Sequence, residues 1–189
     1  MKKILILALS FLMLTNSGCL LPTPCDSEQM ASKSIRFSNT KLLAGKIQLD
    51  EISIESSCSG SRIEETELKK ALATTLMSGK VYSANVGRYL LSVELVEESE
   101  PDTYAFDNTN LPFTATLSAR YLLRTRERGI LVFKKELHSS GTATKTDAYW
   151  GENRLRIAKE RAAKANLENF FNALNQEFGG KPNNTRKKR

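Results

Sequence analysis

Histidine is almost absent from the sequence, with His138 as its only example, and no two cysteines stand in a Cys-x-x-Cys spacing. Zinc sites draw their ligands mainly from cysteine and histidine, so the chain offers no ligand set for one. Glycine-rich phosphate-binding motifs and the Gly-x-Ser-x-Gly nucleophile motif are also absent. These absences predict a protein that is not an enzyme and that uses neither a metal nor a cofactor.

A basic domain is absent as well, although the formal net charge of the whole chain is +7. Lys2, Lys3 and five basic residues near the C-terminus account for this excess, and residues 19–180 are neutral. A neutral body lacks the basic patch of nucleic-acid-binding proteins, so no nucleic-acid partner is expected. Residues 179–189 contain no large apolar side chain and predict a disordered basic tail, which either touches an anionic membrane surface or only solubilises the chain.

The sequence does have an export signal at its N-terminus. Two lysines precede an apolar run over residues 4–14, which is too short to span a bilayer. Residues 17–19 (Ser-Gly-Cys) then resemble the lipobox of bacterial lipoproteins, although Asn16 stands where that motif usually has an aliphatic residue. The resemblance implies a signal peptide over 1–18 and a lipid, including palmitate, on Cys19. Ordinary secretion with a coincidental cysteine is the alternative.

The chain has three cysteines. In an exported protein cysteines commonly pair in disulfides, so an odd number leaves one cysteine unpaired. If Cys19 carries the lipid, Cys25 and Cys58 remain, and each lies among loop-forming residues. An oxidising compartment would allow a disulfide between them, worth about 3 kcal/mol on the chain-entropy model. Two free thiols, or a Cys19–Cys25 link in a protein without lipid, are the alternatives.

Alternating apolar residues predict four strands. They begin near Ile47, with a bulge at Asp50-Glu51, and near Tyr89, Phe113 and Leu131. Apolar residues three and four apart predict two helices. One is opened by a capping box over Ser61–Glu64 and closed by Gly79, and the other runs from about Glu152 to Phe178.

The predicted fold is therefore α+β with the order β-α-β-β-β-α. Each helix has one apolar stripe to bury, and the sheet has one apolar face. We therefore expect a four-stranded, mainly antiparallel sheet with two helices packed on one face. Residues 46–178 are predicted to form this single domain, and residues 19–45 a lipidated N-terminus with a flexible tether.

The opposite sheet face is the candidate binding face, because the core uses the side that the helices cover. Its candidate residues are Arg120, Arg124, Arg126 and Arg128, on the third strand and the turn after it. An ordinary solvated face is the alternative. The aromatic pair Tyr149-Trp150, just before the last helix, is predicted to be a packing contact at the junction.

This element order behind a lipobox resembles the lipopolysaccharide-assembly lipoprotein family (LptE) over residues 46–178, with about 25 residues and a second cysteine between Cys19 and the first strand. The resemblance implies a non-enzymatic accessory in envelope assembly, acting in transport of lipopolysaccharide or lipid to the outer membrane. Its partners would be the membrane, through the N-terminal lipid, and an envelope complex such as an outer-membrane β-barrel.

The same architecture is similar to auxiliary lipoproteins of ABC-type lipid transporters and to activators of peptidoglycan synthases. A protein-only periplasmic adaptor or activator is therefore the alternative function. Leu20, and not aspartate, follows Cys19. By resemblance to sorted lipoproteins this implies the outer membrane, with the body facing the periplasm.

Overall fold

The computed structural model describes residues 23–37, 43–56, 61–97 and 112–179. Its elements are α1 (Ser27–Met30), β1 (Ile47–Ser56), α2 (Glu65–Ser78), β2 (Tyr89–Glu97), β3 (Phe113–Thr125), β4 (Leu131–Ala143) and α3 (Gly151–Phe178). The predicted signal peptide, Cys19, Cys58 and the tail from residue 180 lie outside the described residues. No helix in the described ranges is long and apolar enough to cross a membrane.

The four strands form one sheet in the order β1-β2-β3-β4. β2 and β4 both pair antiparallel with β3, but β1 runs parallel to β2. The prediction of a mainly antiparallel sheet is thus confirmed except at β1, where a helical crossover through α2 returns the chain in the same direction. The predicted bulge is present, since the β1–β2 register shifts between Leu49 and Ile52.

Both long helices pack on the inner face of the sheet, where alternate residues of each strand are buried. Tyr121 of β3 stacks on Phe170 of α3, with ring centroids 4.1 Å apart, and its hydroxyl donates to Asn166 Oδ1 at 2.7 Å. Asn166 Nδ2 in turn donates to the Leu137 carbonyl of β4 at 2.9 Å. A satisfied buried polar group therefore ties β3, β4 and α3 together.

The start of α2 differs from the sequence prediction, whereas its end at Gly79 agrees with it. The helix begins at Glu65, with Glu64 as an N-cap that makes no side-chain capping bond, so the predicted capping box is wrong. The Ser61 carbonyl instead accepts from Lys159 Nζ at 2.8 Å, which holds this segment outside the helix. Gly79 ends the helix and has a right-handed backbone conformation. A glycine is required at this position because a Cβ would overlap the ring of Phe171.

Residues 23–37, here called the N-terminal arm, pack against α2 and α3. Met30 and Phe37 of the arm are buried, and the Phe37 ring meets the ring of Phe171 edge-on at 6.0 Å. Over residues 23–37 the structure thus differs from the flexible tether that was expected over 19–45. The few apolar side chains of this polar segment fill the space between the two helices.

Hydrogen bonds fix the direction of the N-terminal arm. The Asp26 amide donates to Glu160 Oε1 at 2.8 Å, and Ser32 Oγ donates to Glu168 Oε1 at 2.9 Å, so the arm runs parallel to α3. The Ser32 amide also donates to Thr75 Oγ1 of α2 at 3.1 Å. The arm therefore bridges both helices.

The arm enters at the end of the body where β2 ends and β3 and α3 begin, here called the proximal end. Cys25 Sγ lies 4.0 Å from the carbonyl oxygen of Arg156, in the second turn of α3, and the Cys25 amide donates to the Arg62 carbonyl at 3.1 Å. The opposite, distal end carries the start of β2 and the β3–β4 turn. Any anchor that precedes Cys25 in the chain is therefore attached at the proximal end.

Truncating Met30 to alanine should lower the free energy of unfolding by about 2–5 kcal/mol, the usual cost of emptying a fully buried site. Gln29→Ala, at the exposed neighbouring position in the same short helix, is the matched control and should change it by less than about 0.5 kcal/mol. Urea unfolding of both variants measures the difference. Equal stabilities would show that the arm does not belong to the folded core.

Candidate functional site

The outer face of the sheet lies opposite α2, α3 and the N-terminal arm, and no described helix covers it. Its side chains alternate with the buried ones along each strand, and many are exposed: Ser53, Glu55, Glu94, Thr114, Arg120, Arg124, Glu136 and His138. Because the inner face is filled by the core, the outer face is the side of the sheet that the described elements leave open.

Strand register places three charged side chains in one row across the outer face. Glu94 pairs with Arg120, and Arg120 pairs with Glu136 on the next strand. Arg120 Nη1 lies 2.8 Å from Glu94 Oε2, and Arg120 Nη2 lies 3.6 Å from Glu136 Oε2. All three side chains are about half exposed, and ion pairs in such positions contribute only about 0–1 kcal/mol. A partner can therefore replace them at little cost to the fold.

The row crosses a shallow concavity of about 410 Å³. Its lining residues are Ser53, Ile54, Glu55, Glu94, Leu95, Val96, Ser118, Arg120 and Glu136. Three carboxylates and one guanidinium surround it, and Val96 is its only exposed large apolar side chain. The concavity is thus polar and acidic, in contrast to the basic face expected from the arginines alone.

The structure does not bring the four predicted arginines into one patch. Arg120 lies in the middle of the sheet between its two glutamates, and Arg124 lies four residues, or two pleat repeats, further towards the distal end on the same face. Arg126, in the turn, donates to Gln48 Oε1 at 2.9 Å and to the Asn85 carbonyl at 3.3 Å. Arg128 is exposed in the same turn.

Sequence reasoning missed Glu94 and Glu136, although a signal for Glu136 was present. The turn over 126–129 fixes which residues of β3 and β4 face each other, and this register sets Arg120 opposite Glu136. His138 lies on the same face, opposite Ser118. Within the described ranges, no three His, Cys, Asp or Glu side chains are close enough together to hold a metal ion.

A buried ion pair lies at the proximal end. Lys159 Nζ of α3 is 2.6 Å from Glu97 Oε2 at the end of β2, and both side chains are 1% exposed. Glu97 Oε1 also accepts from the Ile63 amide at 3.3 Å. Removing either charged partner of such a pair costs about 3–5 kcal/mol, because the other is left buried and unpaired. The pair therefore holds α3, β2 and the segment before α2 in register.

Cys25 lies beside this pair as a buried, free thiol. Burial, together with the nearby Glu160 carboxylate, raises the pKa of Cys25 to about 12, so the thiol is protonated at neutral pH. The predicted bridge to Cys58 is not confirmed, and Cys58 is not among the described residues. Arg62, which bonds to the Cys25 amide, follows Cys58 by four residues, a span of at most about 14 Å. The bridge stays a prediction.

The aromatic pair before α3 is exposed and is not the packing contact expected from the sequence. Trp150 is 65% exposed and Tyr149 is 57% exposed, with their rings edge-to-face and their centroids 5.3 Å apart. The junction is closed instead by Arg154, which is buried over the ring of Phe113 at 4.8 Å. The pair is thus available at the proximal surface.

No family model matches the chain, and no curated protein matches it. Several solved structures share part of the fold. A candidate lipoprotein from Caulobacter crescentus is 19% identical, covers 69% of this chain and 93% of its own, and has a TM-score of 0.46. A protein from Xanthomonas campestris is 10% identical, covers 73% and 90%, and has a TM-score of 0.48.

A minor lipoprotein from Acinetobacter baumannii is 14% identical, covers 67% of this chain and 92% of its own, and has a TM-score of 0.44. None of these three is described as a lipopolysaccharide-assembly protein, so that resemblance stays a prediction. All three TM-scores are below 0.5, so these likenesses carry no information about function.

The state of the two cysteines can be measured on exported, purified protein. After denaturation without reductant, a disulfide predicts that a thiol reagent labels neither Cys25 nor Cys58, and that adding a reductant exposes both. Denaturation is needed because burial and the raised pKa protect a free Cys25 thiol in the folded state. Labelling of both residues without reductant would establish two free thiols and contradict the predicted bridge.

Proposed function

We propose that the chain is a lipid-anchored accessory protein of the bacterial envelope. It is attached to the outer membrane through Cys19, faces the periplasm, and works without catalysis by holding an envelope protein on the outer face of its sheet. The observation that carries this proposal is that no element in the described part of the chain covers the outer face of the sheet. The helices and the N-terminal arm fill the inner face, whereas the outer face presents a charged row and a shallow concavity.

The chemistry of the outer face favours a protein partner. A lipid chain would require an apolar groove, but serine, glutamate and arginine side chains dominate the concavity. Exposed opposite charges in one row suit a partner with complementary charges, which would fix its orientation and discriminate against wrong partners. This favours the adaptor or activator form of the function, with an outer-membrane β-barrel or another envelope complex as partner.

The lipid-handling form of the function is supported by a different observation at the distal end. Val86, Ile130 and Leu131 are 80%, 52% and 47% exposed there, close to the arginines of the β3–β4 turn. Apolar side chains beside guanidinium groups suit a phosphate-bearing lipid such as lipopolysaccharide. This is the second candidate, and it places lipid contact at the distal end and not in the concavity.

Cys19→Ser should abolish the membrane association of the expressed protein and leave a soluble or uncleaved species. The reason is that no described helix can act as a membrane anchor in its place. Fractionation of cells into membrane and soluble parts measures this, with Cys58→Ser as a matched control that should stay with the membranes. Recovery of the Cys19→Ser chain in the membrane fraction by way of its folded body, and not through an uncleaved signal peptide, would contradict lipid anchoring.

Site-specific crosslinking in intact cells tests the outer face. A photoreactive amino acid at Ser53, exposed beside the charged row, should form an adduct with an envelope protein. The same group at Asn172, exposed on α3, should form none. The adduct should disappear when Arg120→Gln and Arg124→Gln are combined, while the melting temperature stays nearly unchanged. Glutamine is chosen because a glutamate at 120 would put three carboxylates in one row.

Identification of the crosslinked product separates the two candidates. A polypeptide adduct from Ser53 supports the adaptor form, and a β-barrel in that adduct would identify the expected complex. Adducts of lipopolysaccharide mobility, formed from Ile130 and not from Ser53, would support the lipid-handling form. Equal adducts from Ser53 and Asn172, or none from Ser53, would contradict a binding role for the outer face.

A further inference from the structure

The exposed aromatic pair Tyr149-Trp150 lies on a rigid support. Asp147 accepts from the Thr144 amide at 2.8 Å and from Arg161 Nη1 at 3.1 Å. Arg161 Nη1 also donates to the Thr142 carbonyl at 2.6 Å. The loop before α3 is thus tied to the end of β4 and, through Arg161, to the third turn of α3. The loop that carries the two aromatic residues is therefore anchored to the body, and both rings project from it at the surface.

The pair lies at the same end of the body as the membrane anchor. Trp150 is the N-cap of α3, and Arg156, whose carbonyl contacts Cys25, is six residues further on, or about 9 Å along the helix axis. Cys19 precedes Cys25 by six residues, a span of at most about 20 Å. A lipid on Cys19 therefore brings the membrane surface to the proximal end.

We propose that Tyr149 and Trp150 insert into the interfacial layer of the membrane that holds the Cys19 lipid, and so orient the body on that membrane. This inference rests on the lipid anchoring proposed above. Tyrosine and tryptophan favour this layer because an apolar ring and a polar N–H or O–H suit the boundary between acyl chains and head groups. Lys145, whose Nζ lies 5.5 Å from the centroid of the Tyr149 ring, can keep its ammonium among the head groups.

The occupant is a neutral phospholipid surface and not specifically an anionic one. The chain between β2 and β3, which leaves and re-enters at the proximal end, contains four acidic residues over 98–111 and no basic residue. The negative charge of this segment offers no electrostatic attraction to an anionic membrane surface. Insertion should accordingly depend little on salt, because burial of the rings and not charge attraction drives it.

Trp150 is the only tryptophan of the chain, so its fluorescence reports on this site alone. In the lipidated full chain reconstituted into phosphatidylcholine vesicles, we expect emission at a shorter wavelength than for the Cys19→Ser chain in buffer. We also expect several-fold weaker quenching by aqueous acrylamide, and stronger quenching by lipids brominated near the head group than by lipids brominated near the chain end.

A matched control moves the single tryptophan to the distal end. The double variant Trp150→Phe, Ile130→Trp places the probe at an exposed position in the β3–β4 turn. Its emission and its quenching by acrylamide should not change on reconstitution. A second variant, Tyr149→Ser, keeps Trp150 as the probe and should reduce its shift.

Each outcome separates this inference from the proposed anchoring. If the chain floats with the vesicles but Trp150 remains as accessible to acrylamide as in buffer, the insertion is overturned and the anchor stands. If the chain does not float with the vesicles, both are overturned. If the tryptophans at 150 and 130 shift equally, the body lies flat and the proposed orientation is wrong. A shift that needs no vesicles and grows with protein concentration would assign the pair to contact between two copies.

Discussion

The packing of the N-terminal arm between α2 and α3 is the contact on which the placement of the whole body depends. The arm joins the two helices through Ser32, which donates to Thr75 on one and to Glu168 on the other. It also fixes the place where the chain enters the body, beside the buried Lys159–Glu97 pair. The lipid proposed on Cys19 would therefore lie within six residues of the arm at the proximal end, and not on a long tether. The outer sheet face would then be presented to the periplasm in a defined direction.

Local patterns predicted the elements well because strand and helix periodicity are properties of short segments. The alternation from Phe113 predicted β3, and the break in alternation near Asp50 predicted the bulge in β1. The parallel pairing of β1 with β2 was not predicted. An edge strand alternates exposed and buried side chains whether it runs parallel or antiparallel to its neighbour, so its sequence pattern does not reveal its direction. Arg120 was identified as a candidate residue, but its partners Glu94 and Glu136 were not. They lie on neighbouring strands, and which residues face each other across strands depends on the register of the sheet.

The arm and the aromatic pair were missed for physical reasons of their own. Over residues 23–37 the apolar side chains are few, and the helix within them has only four residues, so no periodicity marks them. Their burial depends on a groove that exists only once α2 and α3 are packed. Trp150 was expected to be buried because large aromatic rings usually are. The position is exposed because Arg154, one turn further along α3, covers Phe113 instead.

Amide hydrogen exchange of the arm under native conditions tests the central claim most directly. The buried Ser32 amide, bonded to Thr75, and the Cys25 amide, bonded to Arg62, should exchange about as slowly as amides in β3, because both should open only with global unfolding. Exchange of both at the rate of an unstructured peptide, while β3 stays protected, would contradict the account. Fast exchange of these amides would mean that a flexible tether joins the lipid to the folded body.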